Sequence, residues 1–202
     1  MIILLVGSLS FFTIIVKAQN YTAIQDAFAS SYTSESAGQY TAGVEALKTV
    51  YSETSYEINL RLGWLSYLAG SFTESAAYYQ KAMKLMPLSI EAKMGYVLPV
   101  YAMGNVDQVK AQYLEILKID PCHPVVNYRL GSILYGKGEY VAAEKYFEKG
   151  ADLYPFDFDT LLMYGWTELK LGKYREAQVL FNKALMNKPK NASALEGLGQ
   201  IK

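Results

Sequence analysis

Pro87, Pro121, Pro155 and Pro189 stand 34 residues apart without exception, and a strict period of that length constrains a chain more than its composition does. It means one small unit repeated, each copy unable to bury its apolar face alone and therefore stacked on its neighbours. Other residues keep the same step. Seventeen residues before each proline stands Gly70, Gly104, Gly138 or Gly172, and two positions later comes Phe72, Val106, Tyr140 or Tyr174. A glycine at a helix end accepts the backbone angles that close the helix, and the residue after the turn packs at the start of the next one. Each unit therefore reads as two helices around a glycine turn.

Inside the helices, large residues face small ones. Gly63, Gly131 and Gly165 lie 24 residues before their prolines, with Val97 as the exception; Ser75, Ala143 and Ala177 lie 12 before, with Val109 as the exception. Aromatics occupy the position eight before in all four units, at Tyr79, Tyr113, Phe147 and Phe181. Absent or small side chains at these points let paired helices approach closely around a ring. The Ile90 to Pro121 unit departs in one more way: Pro99 falls mid-helix, removes a backbone donor and crowds the carbonyl of Gly95. A kink is expected at Gly95 to Pro99, either absorbed by packing or acting as a hinge that reshapes the centre of the array.

Extended backward, the 34-residue step lands on Glu53 instead of a proline. Tyr21 to about Ser34, with Ile24, Phe28 and Tyr32 at helical spacing, and Tyr40 to Tyr51, with Val44, Leu47 and Val50, read as a shorter, degenerate hairpin around Gly38. Ala192 to Ile201 reads as a final capping helix. The first sixteen residues carry no charge and precede Lys17-Ala18-Gln19. They are short for a membrane span, and Val16 and Ala18 suit a signal peptidase, so residues 1–18 are expected to be a cleaved signal. The protein is then exported, periplasmic or secreted, with a bacterial envelope as the expected setting. An uncleaved anchor formed by residues 1–16 is the alternative, and a structural helix the third reading; an anchor of this kind is the only membrane link expected.

The period, together with the Leu-Gly, Gly-x-Tyr, Ala-x-x-x-Phe and Pro series, resembles the tetratricopeptide repeat. The likeness runs from about Ile24 to Pro189. It is close for Val125 to Pro155 and Phe158 to Pro189, good for Tyr56 to Pro87 and loose for Ile90 to Pro121. The resemblance implies an all-α fold, an α-solenoid of about five helical hairpins wound as a right-handed superhelix. The hairpins would span about residues 21–53, 56–87, 90–121, 124–155 and 158–189 of an array covering 19–189, with residues 190–202 as the cap. It further implies that the first helix of each pair lines a concave groove.

Aligned on the prolines, the groove rows hold Leu60, Met94, Tyr128 and Leu162; Trp64, Leu98, Ser132 and Trp166; and Tyr67, Tyr101, Tyr135 and Leu169. The expected partner-binding groove is therefore Leu60, Trp64, Tyr67, Met94, Leu98, Tyr101, Tyr128, Tyr135, Leu162 and Trp166. Rings of this kind anchor a protein partner well, although the same side chains could instead complete the core, or be covered by a terminal helix. Some members of the family clamp a peptide's terminal carboxylate with basic groove residues. Here the matching places hold Leu60, Trp64, Met94 and Leu98, with Arg61 and Arg129 one residue off the rows, so that mode is not expected.

Chemistry is sparse elsewhere. The 19 basic and 19 acidic residues cancel, which gives no general attraction to nucleic acid. The ends differ, however. Lys48 alone opposes Asp26, Glu35, Glu45, Glu53 and Glu57 between Gln19 and Leu60, whereas seven bases oppose Glu176 and Glu196 from Lys170 to Lys202. Cys122 and His123, each the sole residue of its type, offer two ligands where a structural zinc needs four, and no phosphate loop or nucleophile motif is present. No metal, cofactor or catalytic residue is expected. The sequence supports a non-enzymatic scaffold that binds a protein or peptide segment. The alternative is a self-assembling structural protein whose acidic end meets the basic end of the next copy, a homo-oligomer.

Overall fold

The computed structural model describes residues 21–201, all eleven elements of which are helices; the expected signal or anchor lies outside them. Two compact units are present. The first, up to Val50, contains α1 (Tyr21–Ser36) and α2 (Tyr40–Lys48) packed as a hairpin. Gly38 turns between them with φ 71°. Val44 and Leu47 are buried as expected, but α1 buries Ala27 and Ser31, while Tyr32 is exposed and pairs with Phe28 at 6.4 Å between ring centroids.

The second unit, from Tyr51, is an α-solenoid of four hairpins and a cap. Its helices are α3 (Tyr56–Leu68) with α4 (Phe72–Leu85), α5 (Ile90–Ala102) with α6 (Val106–Ile119), α7 (Pro124–Gly136) with α8 (Tyr140–Leu153), α9 (Phe158–Lys170) with α10 (Tyr174–Asn187), and α11 (Ala192–Gln200). Every hairpin turns on its expected glycine, with φ between 76° and 78° at Gly70, Gly104, Gly138 and Gly172. α5 runs unbroken through Pro99, which is buried.

A second ruler accompanies the prolines. Two residues after each Pro, and at the equivalent Ser55, stands the residue that caps a first helix. Ser55, Ser89, His123, Asp157 and Asn191 accept from the backbone N–H three residues on, at Ile58, Ala92, Val126, Thr160 and Ala194. Such a cap satisfies a donor that the helix start leaves orphaned, worth about 1 kcal/mol each. His123, weighed above only as a metal ligand, thus does local structural work through Nδ1 at 3.3 Å.

The ring-and-glycine packing is present and goes further than expected. Tyr79 is 3% exposed because it is gripped from both sides: a Cβ at Gly63 would lie 2.9 Å from its ring, and one at Gly95, in the next repeat, would be closer still. Gly95 is thus a slot for Tyr79. Phe181 sits in the same way between Gly165 and Gly197, and Phe147 against Gly131. Ser75 adds a hydrogen bond, its Oγ donating to the Gly63 carbonyl at 2.7 Å.

Candidate binding surface

Successive first helices α3 and α5, α7 and α9, and α9 and α11 pack directly on one another, and no second-helix pair does so to the same extent. The first helices therefore form the tighter, inner side of the stack, which places their free faces on one continuous surface. Within this second unit, α5 and α7 meet less closely than the other successive first helices. A cavity of about 690 Å³ opens there, lined chiefly by α5, α6 and α7 with Tyr67 at its edge.

The sequence explains the gap. At the two places where other repeats carry glycine and a small residue, this one carries Val97 and Val109, both buried. Tyr113, the ring of this repeat, has Val97 in place of one gripping glycine, and Arg129 of α7 stands where Gly95 and Gly197 grip the neighbouring rings. Branched and long side chains at those points hold the helices apart, and the space left over becomes the cavity.

Four of the ten expected groove residues, Tyr67, Met94, Leu98 and Tyr101, line this cavity, and Ser132 joins them. Tyr101 is 63% exposed. Leu60 and Trp64 extend the row along α3 as half-buried residues on the same core, with Trp64 and Tyr67 rings 5.9 Å apart. Tyr128 and Tyr135 are more committed to packing, edge-on to Phe147 at 6.1 Å and to Tyr140 at 5.3 Å. Leu162 and Trp166 belong to a separate cluster around Phe181. The Trp166 ring meets Phe181 at 5.3 Å, and its indole N–H donates to Ser193 Oγ of α11 at 3.0 Å. Of the three rows, Leu169 is the one member fully in the core.

The cavity also draws in residues outside the rows: Val106, Val109 and Tyr113 from α6, and Val125, Arg129, Ile133 and Lys137 from α7 or its end. Lys137 Nζ is 2.7 Å from Asp107 Oδ1, a hydrogen bond that holds the Asp107 carboxyl below its ordinary range. Arg129 makes no hydrogen bond or ion pair among the described residues. Burial pushes the Tyr113 phenol up, and the neighbouring Arg129 charge pulls the other way.

One ionisable cluster lies apart from this surface, where α8 meets α9. Glu168 is 1% exposed, neither carboxylate oxygen accepts a hydrogen bond, and Lys173 Nζ stands 3.5 Å away while also pairing with Glu144. Burial first, and then the Glu144 charge, push the Glu168 carboxyl up to about 7 against the pull of Lys173. The Tyr164 phenol is raised by burial and by Glu168. Glu168 occupies the position that holds Ser66, Val100 and Leu134 in the other repeats. Among the described residues no group of three His, Cys, Asp or Glu side chains is placed to hold a metal ion.

Family models of the tetratricopeptide repeat match residues 35–88 and 100–158 in one case and 134–201 in another. The chain belongs to the tetratricopeptide repeat family. The interruption between matched stretches falls on α5, the helix of Val97 and Pro99. Among solved structures, a tetratricopeptide repeat protein from Parabacteroides merdae ATCC 43184 is 19% identical, with a TM-score of 0.76 over 89% of this chain and 72% of that one. MamA is 19% identical, with a TM-score of 0.72 over 85% of this chain and 95% of that one. At these identities the likeness concerns the fold. No curated protein matches the chain. A tetratricopeptide repeat chain is in general a protein-interaction scaffold, and this one carries the stacked hairpins on which that role rests.

Proposed function

We propose that this tetratricopeptide repeat chain is a non-enzymatic scaffold that holds a segment of a partner protein along the first-helix faces of α3, α5 and α7. The observation that carries this reading is the continuity of Leu60, Trp64 and Tyr67 with Met94, Leu98 and Tyr101, an apolar and aromatic row that ends in an open cavity instead of closed core. Aromatic side chains on such a row offer large contact area for little lost rotamer freedom. Tyr128 and Tyr135 pack on the same core as the row, while Leu162 and Trp166 serve the separate cluster around Phe181. Photo-crosslinking tests the proposal: p-benzoylphenylalanine at Leu98 captures a protein partner in the producing cell, and the same group at exposed Val179 on α10 does not. Equal capture at both positions, or none at Leu98, rejects it.

A further inference from the structure

The cavity between α5 and α7 has a chemistry more specific than the row it terminates. Its walls are side chains such as Met94, Leu98, Val106, Val125 and Ile133, and it carries only two charged residues, Arg129 and Lys137. Lys137 is already neutralised by Asp107. Arg129, an exposed residue of the lining, is not paired. A carboxylate accepting two guanidinium N–H bonds there gains charge-assisted hydrogen bonds and fixes orientation. The volume, about 690 Å³, falls in the range of pockets that bury a compact apolar group nearly completely, roughly 300–1,000 Å³.

We infer that this cavity is an anchor pocket for the large apolar side chains of an acidic partner segment, with Arg129 pairing an Asp or Glu that flanks them. The inference rests on the groove reading above and names the chemistry of its partner. The pocket accompanies Val97 and Val109, which stand where the other repeats carry glycine and a small residue, and Arg129, which stands where α5 and α11 carry Gly95 and Gly197. A protein segment is favoured over a small amphiphile because Tyr67 and Tyr101 continue the wall onto the exposed row, which an isolated ligand would leave unused.

Panning a display library of random 12-residue peptides on the full chain tests this directly. Enriched peptides carry Leu, Ile, Met, Phe or Trp within one helical turn of Asp or Glu. One such peptide, synthesised with a fluorophore and titrated by anisotropy, binds the Arg129→Glu variant at least about tenfold more weakly, and its acid-to-lysine version regains binding to that variant. Val106→Trp, which fills the cavity, abolishes binding while circular dichroism stays unchanged. Enrichment of neutral or basic peptides, or indifference to Arg129→Glu, overturns the inference. Peptides that lose binding on Trp64→Ala but not on Val106→Trp leave the groove standing and remove the pocket. An empty selection together with capture at Leu98 does the same, and an empty selection without that capture removes both. Dodecanoate binding that Val106→Trp abolishes, with no peptide enriched, makes the cavity an amphiphile site and overturns the inference as well.

Discussion

The junction of α9 with α11 and that of α5 with α7 have the same place in the repeat and opposite character. In the first, Phe181 is fully buried between Gly165 and Gly197, and Trp166 is tied to the cap through Ser193. In the second, Tyr113 meets Val97 and Arg129, and a cavity takes up the difference. Both keep the 34-residue step, the turn glycine and the capping residue. Local signals that define hairpins are therefore separable from the contacts that press hairpins together, and one repeat can loosen without putting the array out of phase.

The sharpest way to break this comparison is to remove the rings. Phe181→Ala leaves a void in close-packed surroundings and costs about 3–5 kcal/mol by urea denaturation. Tyr113→Ala opens onto space that already exists and costs at least about 1 kcal/mol less. Equal losses would erase the contrast.

α9, which forms the tighter of these two junctions, also carries a buried carboxyl without a hydrogen bond, Glu168. Its proton is held more firmly in the folded chain than in the unfolded one, because the folded carboxyl is raised to about 7. It contributes stability at low pH, and that contribution is lost as pH rises through the folded value. Glu168→Gln keeps the shape and removes the titration, so it raises stability at pH 8 by about 2 kcal/mol and changes it little near pH 4, below the carboxyl's value in the unfolded chain. A variant whose stability falls at pH 8 would show that the Lys173 contact outweighs the burial.

The smallest effect comes from adding atoms. Gly197→Ala gains helix propensity of about 1 kcal/mol but drives a methyl into Phe181, which Gly165 blocks from behind; overpacking of about 1–3 kcal/mol leaves a net loss near 1 kcal/mol in thermal or urea unfolding. Ser132→Val, on the cavity wall, stays within about 0.5 kcal/mol of the parent. A neutral Gly197→Ala would mean that the two junctions differ less in rigidity than in composition.

Much of this architecture is legible in the residues alone. Hairpins, turns and gripping rings depend on positions fixed by one helix or one pair, and a 34-residue register displays them. The groove rows are legible as positions but not as surroundings: Trp166 has the same register as Leu98, yet it is claimed by Ser193 of the cap while Leu98 faces the cavity. Arg129 lies one residue off those rows, and its significance emerges only when three helices are placed together. Val97 and Val109 were visible as exceptions, and they were the available signal for the cavity. Glu168 carried a signal too, a charge where the sibling repeats hold Ser66, Val100 and Leu134. The five capping residues, at the same strict spacing as the prolines, differ in type and so do not stand out as a series.

Glycine serves two unrelated purposes in this chain. At Gly38, Gly70, Gly104, Gly138 and Gly172 a Cβ would meet nothing within 4 Å, so these turns have room for a side chain; what they require is a residue without handedness, able to take a positive φ. At Gly63, Gly95, Gly131, Gly165 and Gly197 the backbone is ordinary helix and the requirement is one of volume alone. Tolerance is therefore inverted between the two sets. Asparagine, which visits the left-handed region, is the natural replacement at the turns and among the worst at the crossings, whereas alanine, the least intrusive choice at a crossing, brings the turns no benefit from its small size.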